Sequence, residues 1–172
     1  MKKLILAGIS IFLTTTVLAT NWDTSISKDE MTGKGSAYAS SPIISPSKRM
    51  EFPYSNVKGW MAVGCNKNTK WVYIGFTTAP NLNDTQTEDG YSTITTRIKI
   101  DDKVEYITLT QDWGSKFLHF QNDEEIINKI KKANSILLEL NWHGSGSVYF
   151  KFPLNGSANA LKKITNECRK FK

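Results

Sequence analysis

The feature that most restricts how this chain can fold is a period-two alternation of apolar and polar residues that recurs along its second half. Over Thr93–Ile100, Ile94, Thr96, Ile98 and Ile100 fall on one side, with Thr95, Arg97 and Lys99 on the other. Ser135–Trp142 repeats the pattern, placing Ile136, Leu138, Leu140 and Trp142 together and Leu137 opposite. In Ser147–Phe152, Val148, Phe150 and Phe152 alternate with Tyr149 and Lys151. Successive side chains on a strand point to opposite faces, so these segments are expected as strands with one face in a core. Asp101-Asp102 predicts a tight reversal from the first of them into Val104–Thr110. His143-Gly144-Ser145-Gly146 predicts the turn between the other two, with glycine supplying positive φ angles.

The first half is less regular. Trp60–Cys65 and Trp71–Phe76 are apolar and aromatic runs separated by the turn residues Asn66-Lys67-Asn68-Thr69. Val72, Ile74 and Phe76 would share one face, leaving Trp71 and Tyr73 on the other. Residues 22–53 are rich in Ser, Thr, Gly, Lys and Pro. Ser36–Ser41 reads there as a short edge strand, and Pro42, Pro46 and Pro53 prevent a long regular element. Trp113–Phe120 is a further expected strand, and residues 77–90, polar and acidic, an exposed loop. Two helices interrupt the strands. One begins at Asn122 as N-cap, with Asp123, Glu124 and Glu125 in its first turn and Ile126, Ile127, Ile130 and Ala133 as its buried stripe. The other spans Ser157–Cys168, with Leu161, Ile164 and Cys168 on one face. The fold expected is one mainly β domain with two short helices, an antiparallel β-sandwich or curved sheet with helices at one side.

Residues 1–19 have the organisation of a secretory signal peptide. Lys2 and Lys3 give a positive start, Leu4–Leu13 is apolar, and Val17 and Ala19 are compact residues before an expected cut at Thr20. The apolar run is well short of the roughly twenty residues of a membrane-spanning helix, and no later segment is apolar enough to be one. The expected product is a single domain over residues 20–172 in the periplasm, or exported beyond it. Removing Lys2 and Lys3 lowers the formal net charge from +6 to +4. The cations are densest at Lys129–Lys132 and Lys162–Lys172, which read as solvated helix faces. With no arginine-rich stripe or recognition motif, nucleic acid is not an expected partner. The two cysteines, Cys65 and Cys168, are expected as a disulfide, since an even pair in an exported chain is most simply bonded.

The mature N-terminus carries Trp22-Asp23-Thr24-Ser25, Lys28-Asp29-Glu30-Met31-Thr32-Gly33, Ser36-Ala37-Tyr38-Ala39-Ser40-Ser41 and Phe52-Pro53-Tyr54. This W…D-x-M-x-G…YAS…F-P-Y series resembles a bacterial periplasmic module of largely uncharacterised function. The helix around Ile127–Asn134 and the hairpin ending in Phe150-Lys151-Phe152 fit the later part of that module, and Asn155-Gly156-Ser157…Ala160-Leu161…Ile164…Cys168 is similar to the C-terminal element of the VasI/TagO family, accessory proteins of type VI secretion. The chain lacks that family's Asp-rich opening and upstream cysteine segment. The resemblance implies an envelope accessory protein; an inhibitor or immunity protein against a toxin, a lysozyme-like enzyme or a phage is the alternative.

No catalytic constellation, metal set or cofactor motif emerges. Asp29 reads as the cap of the turn at Met31–Gly33, and Asp84, Glu88 and Asp89 lack the spacing of a calcium loop. Ser115 near His119 and Ser145 near His143 sit in no nucleophile elbow. Among the strands, Glu105 and Glu139 are the carboxylates a glycosidase mechanism would require. The aromatic residues point elsewhere. Five Trp, six Tyr and eight Phe are plentiful, and Trp71, Tyr73 and Tyr149, which fall off the apolar alternation, are the candidates for a binding surface facing a protein partner. That surface is open unless one of the helices covers it.

Overall fold

In a computed structural model, residues 22–171 are described, and the expected leader lies outside them. The described residues form ten strands and two helices: β1 (Asp23–Lys28), β2 (Gly35–Ser40), β3 (Gly59–Cys65), β4 (Lys70–Phe76), β5 (Thr85–Thr87), β6 (Tyr91–Ile100), β7 (Lys103–Asp112), β8 (Phe117–Phe120), α1 (Asp123–Ile130), β9 (Ser135–Trp142), β10 (Gly146–Pro153) and α2 (Ser157–Cys168). All strands belong to one antiparallel sheet in the order β1-β2-β3-β4-β8-β7-β6-β9-β10, with β5 beside the start of β6. β1 and β10 are not paired with each other, so the sheet does not close into a barrel. It bends around its own core instead: Phe76 on β4 meets Phe150 on β10 at 5.2 Å between ring centroids, although four strands separate them along the sheet.

The alternation produces this shape directly. In β9, Ile136, Leu138, Leu140 and Trp142 are fully buried while the residues between them are half-exposed. Val63, Val72, Ile74, Leu118, Leu109, Ile98, Leu138 and Phe150 continue one inner face through the sheet. Both helices pack on that inner side, with Ile126, Ile127 and Ile130 of α1 and Ala160, Leu161, Ile164 and Cys168 of α2 in the same core. The predicted cap of α1 is present: Asn122 accepts from the Glu125 N–H at 3.3 Å and donates to the Glu125 carboxylate at 2.7 Å. Asp123 accepts from the Val72 N–H at 2.7 Å, tying α1 to β4 where β8 ends. Cys65 and Cys168 are bonded, joining the end of β3 to the end of α2 across 103 residues of sequence.

Four expectations need correction. Ser36–Ser41 is not an edge strand; β2 is flanked by β3 and by β1, whose sequence carries no apolar alternation. The strand expected over Trp113–Phe120 is confined to Phe117–Phe120, because Gly114 at φ 72° turns the chain. Residues 77–90 are not simply an exposed loop: Pro80 and Leu82 are buried, Leu82 bridges to Trp142, and β5 pairs with β6. Ala133, expected within the first helix, follows α1 and packs against the core only in part.

Candidate functional site

The turn Asn66–Thr69 sets the register of β3 against β4, and that register builds the outer face of the sheet. Asn66 accepts from the N–H groups of Asn68 and Thr69, each at 2.8 Å, closing the turn so that Cys65 faces Lys70. Three outward pairs follow: Gly64 with Trp71, Ala62 with Tyr73, and Trp60 with Gly75. Each tryptophan therefore stands directly across from a glycine and lies over it. A Cβ added at Gly64 would sit 2.3 Å from the Trp71 ring, and one added at Gly75 would sit 2.3 Å from the Trp60 ring. Only the absence of a side chain lets both indoles rest on the backbone.

Neighbouring strands extend the arrangement. Tyr38 on β2, opposite Gly64, meets Trp71 edge-on at 5.9 Å. Phe117 on β8, opposite Gly75, meets Trp60 at 6.3 Å and Tyr73 at 5.3 Å, both edge-to-face. His119 lies 5.9 Å from the Tyr73 ring. Edge-to-face contacts at these separations add to the stability that burial alone gives. The rings are half-buried against one another, and Phe117 is 39% exposed. Burial, with a smaller contribution from Tyr38, pushes the Tyr73 hydroxyl above the usual tyrosine value. Between β2 and β8 this face carries Ser36, Tyr38, Ser40, Trp60, Ala62, Gly64, Trp71, Tyr73, Gly75, Phe117 and His119, and no Asp, Glu, Lys or Arg. Lys70, opposite inward-facing Cys65, stands instead on the helix side of β4, in one shallow cavity with Asp123, Glu124 and Lys131. Burial and the neighbouring charges of Lys131 and Arg169 hold the Lys70 ammonium below its ordinary value. Neither helix lies over this face, since both bury their apolar stripes on the opposite side of the pleat.

The structure thus brings together Trp71 and Tyr73, and adds Trp60, Tyr38 and Phe117, which the sequence reading passed over. The signal for Trp60 was present in the symmetry of the hairpin: a turn at Asn66–Thr69 pairs both tryptophans with glycines. Tyr149 is elsewhere. It lies on the far half of the outer face, where its hydroxyl donates to Glu139 at 3.2 Å. Arg97 grips the same carboxylate with two bonds, at 2.6 and 2.9 Å. The Arg97 hydrogen bond is the main reason that the Glu139 carboxyl is held below the usual carboxylate range.

The other residues weighed in the sequence are engaged locally. Asp29 accepts from the N–H groups of Met31 and Thr32 at 2.8 and 2.9 Å; the Thr32 bond contributes most to keeping its carboxyl below the ordinary value. Ser115 accepts from the Phe117 N–H at 3.0 Å, and a ring nitrogen of His143 lies 3.2 Å from the Asn83 side-chain oxygen. Asp84 pairs with the Asn141 amide. Glu105 is paired with Lys129 and Glu139 with Arg97. Glu105 stands opposite inward-facing Ile98, whereas Glu139 shares the outer face with Arg97, so the two carboxylates project from opposite sides of the sheet. What the aromatic face can do chemically is stack and exclude water.

Compared with protein-family models, with curated proteins and with solved structures, the chain finds no match.

Proposed function

We propose that this is an exported, non-enzymatic binding module of the bacterial envelope that holds a protein partner on the aromatic face of β2, β3, β4 and β8. One observation carries the reading: a run of five aromatic side chains on a sheet face free of formal charge, seated on two glycines and backed by the core. Interface centres are enriched in Tyr, Trp and Phe and depleted of charged residues, with polar groups at the rim. The rings are also fixed before any partner arrives, which lowers the entropy cost of docking. The leader-like residues 1–19 and the disulfide fit an oxidising compartment outside the cytoplasm. The C-terminal resemblance to VasI/TagO accessory proteins favours a role beside an envelope assembly such as a type VI secretion system.

The test is affinity capture from a periplasmic extract with the parent protein, Trp71→Ala, Tyr73→Ala and Tyr149→Phe. Capture should fail with the first two and persist with the third. Retention by Trp71→Ala and Tyr73→Ala alike would remove the aromatic face from the account. Identification of the captured protein separates the two roles: a secretion-machine component supports the accessory reading, and a toxin, lysozyme-like enzyme or phage protein supports the inhibitor.

A further inference from the structure

The long connection from β2 to β3, residues 41–58, is not used by the aromatic face and has its own chemistry. It is fixed to the body at several points. Ile44 and Gly59 exchange backbone hydrogen bonds at 2.8 and 2.9 Å. Ser47 donates its N–H to the Tyr149 carbonyl at 2.8 Å. Met50 and Val57 are buried, and the Tyr54 ring packs edge-on against Trp142 at 5.3 Å. With its apolar anchors turned inward, the segment presents the opposite kind of residue outward. Lys48, Arg49 and Lys58 are exposed, and Phe52 and Ile43 project at 90% and 64% exposure.

Lys48, Arg49 and Lys58 all line one shallow cavity of about 290 Å³, together with Ser45, Ser55 and Asn56 and with no carboxylate. Glu51, the acidic residue of the segment, is exposed and outside the cavity lining. Lys48 is steadied by a 2.6 Å bond from its ammonium to the Ser145 carbonyl. Among the described residues, none of the three cations is in a salt bridge. Three cationic residues along one cavity, with hydroxyl and amide donors among them, match a phosphate, and the arginine allows two-point contact. A fully exposed phenylalanine beside such a cluster matches the boundary layer of a bilayer, where a single weak signal gives marginal attachment and an apolar wedge plus a basic patch gives a stable one.

We propose that the segment 41–58 is a membrane-docking loop: Lys48, Arg49 and Lys58 take the headgroup phosphate of an anionic phospholipid, and Phe52 and Ile43 enter the interfacial layer. The loop holds the aromatic face near a membrane and acts independently of what that face binds.

The experiment is co-sedimentation of the protein, in the form cells accumulate, with vesicles of phosphatidylcholine alone and of phosphatidylcholine mixed with phosphatidylglycerol. The protein should sediment with the mixed vesicles only, and more weakly at high salt. Replacing Lys48, Arg49 and Lys58 together by Gln should lower the partition coefficient about 100-fold, at about fivefold per cation. Phe52→Ser, with every charge retained, should lower it about tenfold or more. All four side chains are exposed, so an unchanged near-ultraviolet circular dichroism spectrum verifies each variant's fold. Equal binding to both kinds of vesicle, binding to neither, or full binding by the triple variant overturns the proposal. So does release from the vesicles by inorganic phosphate at millimolar level, which assigns the cavity to a free anion instead of a lipid.

Discussion

The outer face of the sheet has two halves built on the same pleat by opposite means. From β2 to β8 the side chains are aromatic and held by shape, each indole lying over a glycine on the next strand. From β7 to β10 they are mostly polar: Thr93, Thr95, Thr108 and Thr110, then Arg97, Glu139 and Tyr149 joined by hydrogen bonds, with Val104 and Tyr106 standing exposed on β7. The second half is organised by polar groups that meet one another or water. The first is organised by rings that half-bury one another, with Phe117 left 39% exposed. The difference shows that sheet geometry alone does not decide how an outward face is held together. The residues opposite each aromatic side chain decide it.

Stability and binding measurements put this contrast to the test. The largest effect belongs to the clamp beneath the aromatic half. Replacing Cys65 and Cys168 by Ala opens a bridge spanning 103 residues and should lower stability by about 4–5 kcal/mol in the chain-entropy picture, read as a shifted urea midpoint. Next come the glycines. Gly64→Ala and Gly75→Ala place a Cβ within 2.3 Å of an indole and should cost about 1–3 kcal/mol by overpacking, with altered tryptophan fluorescence. Thr95→Ala on the other half should stay within about 0.5 kcal/mol. Equal costs for the two kinds of variant would erase the distinction between the halves.

Acid titration probes the polar half. The folded-state value of Glu139 lies below its unfolded value, so its contribution is complete above roughly pH 4.3 and is lost as pH falls through the folded value. Because the Arg97 side chain is 52% exposed, that contribution should stay below about 1 kcal/mol. Glu139→Gln should flatten the corresponding loss of stability at low pH, whereas Trp71→Ala should leave its slope unchanged. The smallest effect is that of Tyr149→Phe, which removes one hydrogen bond and should shift stability by about 0.5 kcal/mol without altering partner capture.

The strands on the sheet's second half were legible because their alternation is itself the cause of their burial: every apolar residue of β9 named from the sequence for one face is fully buried. Both helices were legible from their apolar stripes, and the first also from its Asn122 cap. What escaped was structure made by distant partners. The β1 sequence, Asp-Thr-Ser-Ile-Ser-Lys, has no apolar face, and it becomes a strand because β2 offers an edge and α2 lies against it. Leu82 is buried through a bridge to Trp142, sixty residues later in the chain. Trp71 and Tyr73 could be placed on the outer face by pleat alone. Their company of Trp60, Phe117 and Tyr38 depends on register and on the β4–β8 pairing, which skips three strands of sequence and leaves no local trace.

The disulfide described above has a consequence for how the molecule survives damage. Any single backbone cut between residues 65 and 168 leaves two pieces that remain covalently one, because the bridge encloses the whole intervening stretch. The exposed tip at Glu88, Asp89 and Gly90 falls inside that stretch. A protease that nicks it would leave a band of full mass on a gel run without reductant and two fragments once the sulfurs are separated, so proteolysis there need not scatter the sheet.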